Sequence, residues 1–300
     1  MNFAPPSSLA PPHLSVNKAF TLSSESAEIL CCVPFDLRGV RTVLLEGDNG
    51  SGKSVFVKYL TGNLPHSINS DQSDIWNIDG RNYAPVGYEK AKREGIVAVY
   101  QDDDLISTFS VLEHFILQHH SLDNVTLLKL IVTLGAKFIL TVPAVISELL
   151  ATLRVREPKN WLTKLEKKIY VDLGQEEEIE RKAKNLFVEF GWSKEDTDEL
   201  FTKKPPQLFG GARALTKICN ALLCEDIKVL ILDEAFSGVQ KGTWQKCIDK
   251  IKELSVSRNF MVINITHNQE EKEYWKADKT IQISLSDCLG SANTMEACTS

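Results

Sequence analysis

The 300-residue sequence has no C-x-x-C pair, no block of lysine and arginine interleaved with aromatics, and no uncharged apolar run long enough to span a bilayer. Without a C-x-x-C pair, the seven cysteines at 31, 32, 219, 224, 247, 288 and 298 read as reduced, mostly buried thiols, several of them inside apolar runs. Without a basic aromatic groove, and with 40 acidic against 34 basic residues for a formal charge of -6, there is no general attraction to phosphate backbones, and no nucleic-acid partner is expected. The most apolar stretch, Leu127 to Leu153, carries Lys129, Lys137, Pro143 and Glu148 in its interior and reads as an amphipathic helical pair rather than a membrane span. The start, MNFAPPSSLAPPH, lacks the basic and apolar regions of a signal peptide, so a cytoplasmic location is expected, with residues 1–13 a disordered tail. The residues from 289 onward read as a second disordered tail.

Four short apolar runs are each followed at once by polar residues: TVLL before Gly47, IVAVY before Gln101, KVLIL before Asp233, and MVINI before Thr266 and His267. Continuous apolar runs of this length suit parallel strands covered on both faces, and ligands of such sheets lie beyond the carboxyl ends of the strands. LSVNKAFTL and AEILCCVPFDL alternate more and predict a small N-terminal antiparallel sheet. Between about 112 and 205 the pattern turns helical. From Glu176 to Phe190, for example, Ile179, Ala183, Leu186, Phe187 and Phe190 share one face. The expected fold is therefore α/β, a phosphate-loop core with an N-terminal antiparallel β part and an inserted, enlarged helical subdomain, over residues 14–288.

The first polar loop has a specific chemistry. GDNGSGKS, comprising Gly47, Asp48, Asn49, Gly50, Ser51, Gly52, Lys53 and Ser54, sits between a strand and a helix, as phosphate-loop spacing requires. Its glycines permit turns that aim backbone N–H groups at a phosphate chain, and the helix beginning near Lys53 adds its positive end. Lys53 is expected to reach the β- and γ-phosphates of a nucleoside triphosphate and Ser54 to hold magnesium. Asp233 ends a buried strand and is placed to hold the metal, and Glu234, aimed elsewhere, to activate water as general base.

The order of Gln101, QLFGGAR (207–213), KVLILDEAFSG (228–238) and ITH (265–267) behind the phosphate loop resembles that of an ATP-binding-cassette (ABC) ATPase, over roughly residues 14 to 285. The stretch AKREGIVAVYQDDDLISTFSVLEHFIL is especially similar to ATPase subunits of sugar and small-solute importers. The resemblance implies ATP and Mg2+ as ligands. It gives Gln101 a place in the metal and water shell, His267 a contact to the γ-phosphate, and Phe20 a stacking position against adenine, with core packing as the alternative for Phe20. It further implies a second cassette, whose signature segment completes the site, and an integral membrane permease that would hold the chain on the inner face of a membrane.

The signature departs from the family's LSGGQ. Leu208 is followed by Phe209, Gly210, Gly211 and Ala212, so two polar side chains are missing, while the glycine N–H groups remain available to a phosphate. Gln240 stands where the family commonly has an aspartate. These departures leave a homodimer with two altered sites and a heterodimer with one competent site both open, with slow or partner-dependent turnover. Besides a transporter subunit, the sequence admits a soluble cassette ATPase that remodels a cytosolic partner, or an ATP sensor with little turnover.

Overall fold

The computed structural model describes residues 10–17, 20–24, 27–32, 34–63, 76–85, 87–101, 105–119 and 176–283, the segments 20–24 and 27–32 by backbone only. A five-stranded parallel sheet organises it. It is built from β5 (Thr42–Glu46), β8 (Ile96–Val99), β9 (Val229–Asp233), β10 (Met261–Ile265) and β11 (Lys279–Gln282), in the order β11-β5-β10-β9-β8. The first four are the apolar runs expected to be strands, and β9 and β10 are buried at every position. Side chains alternate between two cores: Leu230 and Leu232 of β9 face one, Val229 and Ile231 the other. Covering both faces in this way is why these strands show no polar alternation.

One core contains α1 (Lys53–Leu60) and the N-terminal strands, with Phe35, Phe56, Tyr59 and Trp76 in aromatic contact. Two antiparallel sheets stand where one was expected. Among the described residues, β2 (Phe20–Ser24) and β3 (Ala27–Cys32) pair with each other as a separate two-stranded sheet. β1 (Leu14–Val16) and β4 (Phe35–Asp36) join β6 (Trp76–Ile78) and β7 (Arg81–Tyr83) in the order β4-β1-β6-β7. The β6–β7 hairpin turns on Asp79 and Gly80, with φ of 50° and 81°, the two left-handed positions that an Asp-Gly pair supplies. His13, inside the segment expected to be a tail, donates its N–H to Asp79 Oδ1 at 2.9 Å and places Nε2 2.9 Å from Asp36 Oδ1.

The other core is helical. α2 (Tyr88–Arg93) precedes β8, and α3 (Val111–His119) follows it. Then come the described helix α4, residues 176–189, and α5 (Lys194–Thr202). Phe115 of α3 stacks on Phe201 of α5 at 5.4 Å, and both meet Phe187 of α4 edge-on. This packing uses the expected apolar face of α4, and Lys182 pairs outside with Glu178. Ser193 caps α5 by accepting from the Asp196 N–H at 3.0 Å. α6 (Gly210–Leu222), α7 (Lys241–Ser257) and α8 (Gln269–Trp275) complete the fold. The Leu127–Leu153 stretch, residues 1–9 of the first expected tail and the whole of the second lie outside the described residues. Among the described residues no helix is long and apolar enough to cross a membrane.

Candidate functional site

The loop between β5 and α1 is shaped by its glycines. Gly50 and Gly52 have φ of 81° and 93°, and Gly52 is the left-handed residue that begins α1. At Gly47 the constraint is space: a Cβ there would collide with the Ile283 carbonyl oxygen and Ser51 Oγ. Lys53, nearly buried, donates from Nζ to the carbonyls of Gly47 (2.8 Å) and Asp48 (2.9 Å), so its ammonium lies across the loop. Burial holds its pKa below the ordinary lysine value, opposed by the nearby carboxylates of Glu234 and Asp233.

The ends of β8, β9 and β10 bring the other polar residues together. Ile265 pairs with Asp233 in register, and the Glu234 N–H donates to the Ile265 carbonyl at 2.9 Å. Glu234 has φ of 49°, a left-handed conformation that costs a non-glycine residue about 1–2 kcal/mol. That turn separates the two acids. The Asp233 side chain stays buried beside α1, while Glu234 Oε2 accepts from Gln101 Nε2 at 3.0 Å and its Oε1 lies 3.3 Å from His267 Nε2. Gln101, Glu234 and His267, distant in sequence, are thus one polar cluster, hydrogen-bonded between Gln101 and Glu234 and with His267 in polar contact.

Two buried polar atoms here lack a hydrogen-bond partner among the described residues, Ser51 Oγ in the loop and Asp233 Oδ1 beside it. Asp233 accepts from the Ser54 hydroxyl, yet burial raises its carboxyl above the ordinary 3.8, reinforced by the Glu234 charge. A hydroxyl touching a carboxylate that keeps a free, desolvated oxygen is a donor set suited to a hard divalent cation that draws its remaining ligands from phosphate and water. Because the folded pKa lies above the unfolded one, the ionised carboxylate opposes folding above the folded value, and stability is regained as pH falls toward 3.8. Asp233→Asn therefore raises the melting temperature at pH 7 and flattens the stability profile on the acid side. Thermal melts without nucleotide between pH 4 and 8 check this, and an unchanged profile contradicts it.

One residue of this region went unread in the sequence. Glu271 of α8 is nearly inaccessible and accepts from Asn264 Nδ2 (3.1 Å), the Thr266 hydroxyl (2.9 Å) and Trp275 Nε1 (3.4 Å). Thr266 Oγ1 accepts in turn from the Asn268 N–H at 3.2 Å, and Asn268 caps α8, so the loop that presents His267 is tied on both sides. Burial pushes the Glu271 carboxyl up, against its three donors. The signal was present: Asn264 breaks the MVINI run, and an acid follows one helical turn beyond His267.

The signature segment lies at the start of α6. Phe209 is its N-cap, makes no side-chain cap bond and is 85% exposed. Gly210 packs on the Gly238 carbonyl, 3.0 Å from where a Cβ would stand, and Gly211 on Thr243, so both glycines belong to the contact with the segment after Glu234. Gln240 is the N-cap of α7 and makes no cap bond. The Phe20 side chain is outside what is described, as are Asp102, Asp103 and Asp104.

A family model described as ABC transporter matches residues 32–237. The chain belongs to the ABC transporter family. It is 24% identical over 265 residues to the galactofuranose transporter ATP-binding protein YtfR of Escherichia coli (strain K12), covering 88% of this chain but 41% of that protein. It thus spans about two fifths of the length of that relative. Over 102 residues it is 35% identical to the ribose import ATP-binding protein RbsA of Chromobacterium violaceum, 34% of this chain and 18% of that one. Its fold is that of solved ABC cassettes. A nucleotide-free ATP-binding cassette from an ABC transporter superposes with a TM-score of 0.60 at 17% identity, over 91% of this chain and 88% of that one. A dimeric post-hydrolysis cassette bound to ADP and Pi gives 0.58 at 16% identity, over 91% and 94%.

Proposed function

We propose that the chain is the ATP-hydrolysing subunit of a small-solute transporter, closing with a second cassette around ATP and passing that motion to an integral membrane permease. The observation that carries the reading is Glu234, with one oxygen 3.0 Å from Gln101 Nε2 and the other 3.3 Å from His267 Nε2, at the strand ends beside a phosphate loop. The relatives named as galactofuranose and ribose transport proteins support the transport side.

In this reading the N–H groups of residues 47–54 and the Lys53 ammonium bind the β- and γ-phosphates. Ser54 and Asp233, with Gln101 beside them, would hold magnesium, and the ion would neutralise phosphate charge. Glu234 takes the proton of the attacking water at a carboxylate oxygen, and His267 Nε2 orients that water and the γ-phosphate. Gly210 and Gly211 offer N–H groups to the nucleotide of the opposite cassette, where Phe209 gives bulk instead of a hydroxyl. A partner with a complete signature would leave one competent site in a heterodimer, and the chain would work on the cytoplasmic face of the membrane.

The test is affinity purification of the Glu234→Gln form from native membranes with Mg-ATP. The expected result is recovery of an integral membrane protein and a second cassette, lost when nucleotide is omitted. Recovery of a cytosolic protein alone, with or without ATP, contradicts the transport reading.

A further inference from the structure

Gln101 is fixed by more than its contact with Glu234. The residue before it, Tyr100, is held at both ends. Its hydroxyl lies 2.6 Å from Thr61 Oγ1, at the end of the phosphate-loop helix α1, and 2.6 Å from Asn63 Nδ2. Its carbonyl accepts from Lys217 Nζ at 2.6 Å, and the same ammonium lies 3.5 Å from the Gln101 carbonyl. Lys217 is half-buried on α6, two turns past Gly210 and Gly211, and α6 packs against β8. A cation on backbone carbonyls is a strong, directed contact, and here it joins the helix carrying the signature to the residue touching Glu234.

We propose that Lys217 is a positioning residue for Gln101. With Tyr100 it forms a strut from α1 to α6 that sets where the Gln101 amide meets Glu234, so displacement of the signature helix moves Gln101. The contacts described for Lys217 here are to the Tyr100 and Gln101 carbonyls, and it acts on Gln101 through that backbone. The effect on turnover rests on the ATPase reading; the strut does not.

Two measurements on the full chain test it. The first is a double-mutant cycle in steady-state ATP hydrolysis. Lys217→Met keeps the aliphatic stem and removes the donors. It should lower kcat by about tenfold with KM little changed, have no further effect in a Gln101→Ala background, and be largely rescued by Lys217→Arg. Equal losses in both backgrounds, or none in either, overturn the proposal. The second is hydrogen–deuterium exchange without nucleotide. Lys217→Met should speed exchange at Tyr100 and Gln101 by about tenfold while leaving β11 unchanged, and unchanged exchange at 100–101 overturns the strut. If the wild-type chain hydrolyses no ATP, the ATPase reading fails, and the exchange result alone decides the strut.

Discussion

With Glu234 as the general base proposed above, Glu234→Gln should lower the rate of ATP hydrolysis by about a hundredfold or more, because it would remove the group that takes the proton of water. The substitution is nearly isosteric. Its carboxamide oxygen can still accept from Gln101 Nε2, now 3.0 Å from Glu234 Oε2, so the local turn and the nucleotide grip should persist. The expected signature is therefore a collapse of kcat with Mg-ATP affinity retained, the pattern of a lost transition-state interaction. A parallel fall in both kcat and affinity would assign Glu234 to binding. Unchanged kcat would remove it from catalysis.

The second large effect is at Gly47. A Cβ at this position meets a backbone carbonyl, Ile283 O, and the buried Ser51 side chain, neither of which is the free end of a flexible chain. Relief requires moving the loop itself, and overpacking of this kind costs about 1–3 kcal/mol. Gly47→Ala should weaken Mg-ATP binding by about tenfold or more, since each 1.4 kcal/mol is a factor of about ten. Calorimetric titration checks it, and wild-type affinity with wild-type melting would show that the loop tolerates the side chain and that its shape is not the basis of binding.

The contrast between Gly47 and Glu271 shows where sequence reading stops. The phosphate loop, Gln101, Asp233, Glu234 and His267 could be read because each follows a buried strand, and continuous apolar runs announce buried strands. The β6–β7 hairpin carries an Asp-Gly turn, but its three-residue strands offer almost no alternation to count, and it was not read. β11 lies half-exposed at the sheet edge, so it shows mixed residues rather than a continuous apolar run. Lys217 is different: its partner, the Tyr100 carbonyl, comes from another element far away in the chain, so the contact has no local sequence pattern. Glu271 binds Asn264 and Thr266 close by in sequence, but a single acid on a short charged helix does not announce that it is buried. Phe209 was conspicuous by its residue type, and only the fold shows it standing out at 85% exposure on the N-cap of α6.

The central claim is that residues 47–54 hold a triphosphate with its metal at Ser54 and Asp233. Crystals of the full chain grown with magnesium and a non-hydrolysable ATP analogue test it most directly. The account predicts phosphate density against the N–H groups of this loop, Lys53 Nζ drawn to the β- and γ-phosphates, and a metal touching Ser54 Oγ beside Asp233. Phosphates bound elsewhere, or a loop still closed over by Lys53 at saturating nucleotide, would contradict it.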